Sequence, residues 1–384
     1  MNFDCVLIPD LSCEVFAQSE LRSRFKIDSV ISKGCVCFSA SLKDVLKVAY
    51  FSQSAKRVLI LLSKGNFSSD LSSLSDSLKS NIVSEVANNL LSGSVFGVEC
   101  ERIGEHEFNS VDAQDSLIRI LKSSINDASV SFSDSVLKVY LQVFDDSFVC
   151  GFDVAGRDLS VRKYRVFTHP ADLKGTIAFN FLTFAGLSSK SNFLDPSCLS
   201  GTIGVESALF QSCISPNFFY KDFLIKNCDF FKDVNFDKLY DDFDKLIVKK
   251  SAGCVNCLDA SHANISLAKK NSKIAGVQNY ISFSKTGLDD LDLKFEKSHK
   301  ISIIASKFIE PSKSISVNFA QSQYNSLFNR SKEFLSKNGV VCACLRNVDL
   351  FVQTAKSFDF ELVESVEVFQ GNMKLFFVKV RFVK

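Results

Sequence analysis

The chain has 384 residues, more than a single hydrophobic core usually organises, so two or three folded units are expected. With 46% hydrophobic and 23% charged residues and a formal net charge of only +2, it falls outside the disordered, coiled-coil and globally basic classes, and any nucleic-acid binding has to use local patches. The 13 cysteines are odd in number and lack framework spacing, which points to free thiols in a reducing compartment; with no secretory pattern at the start and no window of about 18 apolar residues, a cytoplasmic chain without a membrane span is expected.

A strand over Asp4–Ile8, a second apolar run over Gly34–Phe38, a helix over Leu42–Phe51 and a β-rich run over Arg57–Leu62 open the chain as a small α+β unit. The Ser-rich stretch Gly65–Ser80 reads as a loop leading into a helix over Ser80–Leu91. Val95–Glu101 alternates as a half-buried strand, and Val111, Leu117, Ile118 and Leu121 give Ser110–Lys122 helical spacing. Leu137–Phe144 and Ser147–Val154 form a hairpin around Asp145 and Asp146. From about Asn192 the pattern changes to short apolar strands alternating with helices, among them Phe193–Leu194, Gly253–Asp259, Asn264–Ala275, Ile301–Ala305, Tyr324–Leu335 and Val340–Leu345, which argues for a doubly wound sheet. Phe360–Gln370 and Met373–Phe382 close the chain as an antiparallel hairpin with Gly371 in its turn.

Two places in this second half have the makings of a ligand site. Asn192–Leu209 is a strand, a turn of small residues and then a helix; such a turn lets a ligand approach the backbone, and the helix start offers free N–H groups. In a doubly wound sheet it lies at the C-terminal end of the first strand, where ligands bind, although an ordinary strand-to-helix loop has the same pattern. Val255–Asp259 ends a second strand in an acid suited to accept ribose hydroxyl hydrogen bonds, or equally to cap the helix that follows.

The segment Asp195–Leu209 resembles the DP-x-CGSGTI-x-IEAAL signature of the THUMP-containing RNA guanine-N2 methyltransferases, and Asp259 with Ala268–Asn271 and Ala275-Gly276 resembles that family's second motif. Phe96–Ser110 is similar to the THUMP core, and Gly151–Leu159, Tyr164-Arg165 and His169–Lys174 are similar to the end of THUMP and the linker after it. The likeness covers nearly the whole chain, and its layout is nearest the archaeal type that acts on guanine 6 of tRNA. It implies an α+β N-terminal region, ferredoxin-like over 1–60 and THUMP over 61–160, a linker over 161–190, and an α/β Rossmann-like methyltransferase domain over 191–384. It implies S-adenosylmethionine as cofactor, held by Asp195, Ser197, Cys198, Ser200, Gly201, Thr202, Asp259 and Ala260, and tRNA as partner, with no metal. Arg102, Arg157, Arg162, Lys163, Arg165 and Lys174 are the candidate RNA contacts, a solvated charged linker being the plainer account of the local basic stretch.

Three departures bear on catalysis. Where relatives carry Asn-Pro-Pro-Tyr, this chain has Ser306-Lys307-Phe308-Ile309, so Ser306 would inherit the acceptor for the target amine and Phe308 the stacking on the base. The family's Gly-Ser-Gly is Leu199-Ser200-Gly201, and the acid after the third strand falls at Gly287, with Asp289 and Asp290 nearby. The resemblance favours a tRNA (guanine-N2)-methyltransferase; the alternative is a catalytically inactive methyltransferase-like module that binds RNA or a partner. The lone Cys254-Val-Asn-Cys257 reads as strand packing rather than a zinc or redox site.

Overall fold

A computed structural model describes residues 1–383 except 128, 132, 250–252 and 296–297. The chain divides into two units: Met1–Pro9, Ala17–Leu159 and Asn217–Phe243 form the first, and Asp10–Phe16, Ser160–Pro216 and the chain from Asp244 onward form the second.

The first unit is one sheet in the order β2-β3-β1-β4-β8-β7-β5-β6, built from β1 (Asn2–Ile8), β2 (Ser29–Ser32), β3 (Cys35–Ser41), β4 (Arg57–Asn66), β5 (Val95–Ile103), β6 (Ser129–Val130), β7 (Leu137–Phe144) and β8 (Ser147–Asp153). The pairings β1–β3, β1–β4, β4–β8 and β7–β8 are antiparallel, whereas β5 runs parallel to β6 and β7. Period-2 patterning sets the buried face: Leu137, Val139, Leu141 and Val143 of β7 all enter the main core. Residue 60, an expected domain boundary, lies inside β4, which hydrogen-bonds to β1 on one side and β8 on the other.

The expected loop at Gly65–Ser80 is instead the end of β4 followed by a helix, Leu71–Asn81, and the expected helix Ser80–Leu91 begins only at Ser84. The serines hid an ordinary helix start: Asp70 caps it by accepting the Ser73 N–H at 2.8 Å, and Leu74 and Leu78 bury one face. Residues 217–243, inside the segment expected to form the second domain, pack with the first unit. Their helix Phe236–Asp244 puts Phe236, Tyr240 and Phe243 on one side, in the core with Tyr50 and Phe51.

The second unit carries the doubly wound sheet. Its order is β11-β10-β9-β12-β13-β15-β14, from β9 (Phe193–Asp195), β10 (Val255–Asp259), β11 (Ile281–Lys285), β12 (Ile301–Ser306), β13 (Leu335–Leu345), β14 (Phe360–Gln370) and β15 (Met373–Phe382). The first five are parallel, and the closing hairpin β14–β15 is antiparallel, with Gly371 at φ +61° in its turn. The chain leaves β9 toward β10 and β11, then returns to the other side of β9 as β12. That reversal opens a crevice beyond the C-terminal ends of β9 and β12. No helix among the described residues is long and apolar enough to cross a membrane.

Candidate functional site

The turn after β9 is held by backbone hydrogen bonds, one to β10 and one within the turn. Cys198 N–H donates to Leu258 O at 2.9 Å and Gly201 N–H to Cys198 O at 2.7 Å, while Leu199 and Gly201 take left-handed φ values of +53° and +85°. Gly201 is required twice, by its φ and because a Cβ there would stand 2.7 Å from the Ala268 Cβ in the helix His262–Ile274. Gly201→Ala is therefore expected to lower stability by about 1–3 kcal/mol, read as a lower midpoint in urea unfolding.

Asp259 ends β10 beside this turn. One of its carboxylate oxygens accepts the Leu199 N–H at 3.0 Å, and the other accepts Ser261 N–H at 2.9 Å and the Asn264 side-chain amide at 3.0 Å. The helix cap beyond it is Ser261, which accepts the Asn264 N–H, so capping does not account for Asp259. Asp259 and Ala260 line a cleft of about 740 Å³ together with Ser197, Leu199, Gly287 and Leu288. The cleft extends past Lys307–Glu310 and the helix Val317–Phe334, and His169–Asp172, Arg346, Gln370 and Met373 complete its rim.

Of the other candidate cofactor residues, Asp195 at the end of β9, Cys198 and Ser200 in the turn, and Thr202 at the start of the helix Thr202–Ser212 are buried and do not line the cleft. Ser200 is tied by N–H and hydroxyl to the Asp172 carboxylate, which also accepts the His169 N–H at 2.7 Å. Gln370, at the end of β14, accepts the Lys174 N–H at 2.7 Å and donates to Asp172 O at 3.3 Å. The linker thus becomes one wall of the cleft, a role its sequence did not announce.

Ser306 does not fit the acceptor role expected of it. It is fully buried, and its hydroxyl lies 2.6 Å from Asp195 Oδ1 and 3.1 Å from Ser197 O. Burial pushes the Asp195 carboxyl up to about 7, against the hydrogen bonds from Ser306 and the Ser197 N–H and with the nearby Asp259 and Asp172 charges adding to it. The other Asp195 oxygen has no hydrogen-bond partner among the described residues. An unfolded aspartate releases its proton near 3.8, so the folded chain binds more protons between about 4 and 7. Stability from this group is then full at low pH, declines as pH rises through that window, and levels off above it. Asp195→Asn, which keeps an acceptor for Ser306, is expected to flatten this dependence and to gain on the order of 2 kcal/mol over wild type at pH 8, read as urea midpoints across pH 5–8.

Phe308 is likewise not a free stacking face. It is 3% exposed, its ring is stacked on Phe351 with centroids 5.9 Å apart, and Tyr324 meets it edge-on. Glu310, which no sequence signal marked, ties two strand-end loops together by accepting the N–H groups of Arg346 at 2.7 Å and Asn347 at 3.0 Å. Lys307 and the Arg346 guanidinium flank it at 4.0 and 3.6 Å.

The six basic candidates have different surroundings. Arg162 is internal, with its guanidinium 2.9 Å from Glu206 and side-chain exposures of 1% and 0% for the pair; Tyr164 donates to the same carboxylate at 2.7 Å. It cannot offer that charge to a phosphate. Lys163 beside it is exposed, and Arg165 and Lys174 are half-buried. In the first unit, Arg157 donates to Asn217 at 3.1 Å and to Tyr220 O at 2.8 Å, and Arg102 bonds to His106 at 2.9 Å. Cys254 is exposed while Cys257 is buried, and among the described residues no cluster of three or more His, Cys, Asp or Glu side chains is placed to hold a metal ion.

A mostly parallel sheet with a strand-order reversal, a small-residue turn there and an acid ending the neighbouring strand define a Rossmann-like fold built for a nucleoside cofactor. The chain belongs to the RMKL-like methyltransferase domain family, which it matches over residues 162–376. It is 27% identical to the tRNA (guanine(6)-N2)-methyltransferase of Methanocaldococcus jannaschii over 97% of this chain and 98% of that one. Among solved structures, SMU.472 in complex with SAH aligns with 100% of this chain and 99% of its own at TM-score 0.78 and 17% identity. TrmN from Thermus thermophilus aligns with 100% of both chains at TM-score 0.68 and 17% identity.

Proposed function

We propose that this chain transfers a methyl group from S-adenosylmethionine to the N2 amine of a guanine in tRNA, at position 6, in the cytoplasm. The observation that carries the proposal is the Asp259 carboxylate, presented to the cleft at the end of β10, one strand from the turn after β9. The residues fit the cofactor. Asp259 Oδ2, which accepts only the Leu199 N–H, has a lone pair left for a ribose hydroxyl, and Ala260 and Leu288 offer an apolar slot for a flat heterocycle. The slot stays open at Gly287, where an added Cβ would meet nothing nearer than 3.9 Å. Ser197 and the backbone of Leu199 would face the methionine end. When bound, the cofactor supplies an electrophilic methyl on a sulfonium; the protein's part is to hold the amine in line with it and keep water out.

The likeness to the archaeal enzyme along almost the entire chain supports the choice of tRNA and of guanine 6. In the same proposal, the first unit, residues 1–9, 17–159 and 217–243, carries the ferredoxin-like and THUMP parts, and the second, entered through the linker, carries the catalytic domain. RNA would then be gripped by Arg102, Arg157, Lys163, Arg165 and Lys174, with Arg162 serving the fold. The burial of Ser306 and Phe308, the positions that replace the relatives' catalytic motif, favours an inactive binding module. Calorimetric titration with S-adenosylmethionine and, separately, with unmodified tRNA transcript is the first test: binding of tRNA alone supports the module, and binding of both, followed by transfer of the labelled methyl to the transcript, supports the enzyme.

A further inference from the structure

The cleft wall that follows β12 has no exposed ring to receive a base. Ile309 is aliphatic, Phe308 is packed into the core, and Tyr324 is 1% exposed with its hydroxyl donating to Ile309 O at 2.6 Å. An aromatic face is supplied by the adjoining helix Val317–Phe334. Phe319, in its first turn, lines the cleft and is 51% exposed. Other large apolar side chains are as exposed, Phe219 among them, so what sets Phe319 apart is that its open face lies on the cleft.

Its position is fixed from both sides. Ser316 caps the helix by accepting the Phe319 N–H at 3.2 Å, and Tyr324, little more than a turn along, pins the helix to the loop after β12. Gln323 lies four residues after Phe319, on the same helix face, and also lines the cleft. Its carboxamide has no hydrogen-bond partner among the described residues, although it carries two donors and an acceptor.

We infer that Phe319 and Gln323 form the clamp for the target base, the ring stacking on an extruded purine and the carboxamide pairing with its Watson–Crick edge. The inference rests on the proposed methyl transfer to guanine. Guanine presents O6 as acceptor and N1–H as donor side by side, and a carboxamide matches both, donating its N–H to O6 and accepting N1–H. The pairing leaves N2 unpaired beside it, pointing along the cleft. Adenine offers the reverse pair, N6–H and N1, and the same contact would consume its exocyclic amine. A carboxamide here can pair with either purine but leaves only guanine's exocyclic amine free to react, so it selects at the chemical step. Phe319 supplies the stacking face that neither Phe308 nor Ile309 can.

The test uses the full chain and unmodified tRNA transcripts with guanine at position 6, or with inosine there as a non-reacting ligand that keeps O6 and N1–H and lacks N2. Phe319→Ala is expected to lower kcat/KM by about 5- to 150-fold, the worth of one base–aromatic stack, while S-adenosylmethionine affinity stays unchanged. Phe319→Tyr restores the rate, which a loss of folding would not allow. Gln323→Glu sets a carboxylate against O6 and lowers kcat/KM about tenfold or more. Binding of the inosine transcript weakens in Phe319→Ala and Gln323→Glu alike. Unchanged inosine-transcript binding and unchanged kcat/KM in both variants would overturn the clamp. Failure of the wild type to methylate any transcript counts against the proposed reaction instead, and the inosine binding still decides the clamp.

Discussion

Arg162→Ala is expected to lower the melting temperature by about 6–20 °C while leaving the surface charge pattern that meets RNA essentially intact. The guanidinium and the Glu206 carboxylate are both withdrawn from water, at side-chain exposures of 1% and 0%, and removing the cation strips a buried carboxylate of this counter-charge. Such losses run to about 3–5 kcal/mol, against about 1 kcal/mol or less for an exposed pair. The site is also tight, since a Cβ at Gly175 would meet the Arg162 side chain at 2.4 Å, and Gly175 has no side chain of its own to move into the gap. Arg162→Met with Glu206→Leu should recover most of the loss by replacing the charges with apolar volume. Lys163→Ala, one residue on and exposed, should leave the melting temperature unchanged and weaken RNA binding. If Arg162→Ala weakened RNA binding at unchanged stability, the internal assignment would be wrong.

Asp259→Ala is expected to weaken S-adenosylmethionine binding by about 10- to 150-fold. One charge-assisted hydrogen bond from a ribose hydroxyl to the acceptor site left on Asp259 Oδ2 contributes about 1.5–3 kcal/mol, and the same carboxylate orients the Leu199 N–H at the turn. Asp259→Asn keeps one acceptor and should retain part of the affinity. Asp259 is 6% exposed and its carboxylate accepts three protein hydrogen bonds, so the fold should also lose about 2–4 kcal/mol. Calorimetry on both variants, with urea unfolding as the control, separates a lost ligand contact from a damaged turn. Unchanged affinity in Asp259→Ala would mean that the ribose is held elsewhere.

The elements that were legible in the sequence are those where local chemistry and tertiary structure agree. Asp259 ends an apolar strand and Gly201 sits where only a residue free of Cβ fits, so both could be placed from spacing, as could the closing hairpin around Gly371. Three features were hidden for three different reasons. The helix Leu71–Asn81 lay under a serine-rich composition, although its Leu74 and Leu78 have helical spacing. Arg162 looks like its neighbours Lys163 and Arg165 in a linear string, and only the fold turns it inward toward Glu206, 44 positions away. Residues 217–243 carry a legible aromatic stripe, but nothing in the stripe says which unit it covers. In the candidate site, the small-residue turn and the acid were readable, whereas the inward turn of Ser306 and the place of Phe319 on the cleft wall depend on how β12 and the following helix pack.

The most direct test of the central claim is to incubate the purified chain with methyl-labelled S-adenosylmethionine and unmodified tRNA transcripts, then digest the RNA and identify the labelled nucleoside. The prediction is N2-methylguanosine at position 6, abolished when that guanine is replaced by inosine. Absence of label in a chain that binds both the cofactor and tRNA would contradict it and leave an RNA-binding protein with an idle methyltransferase fold.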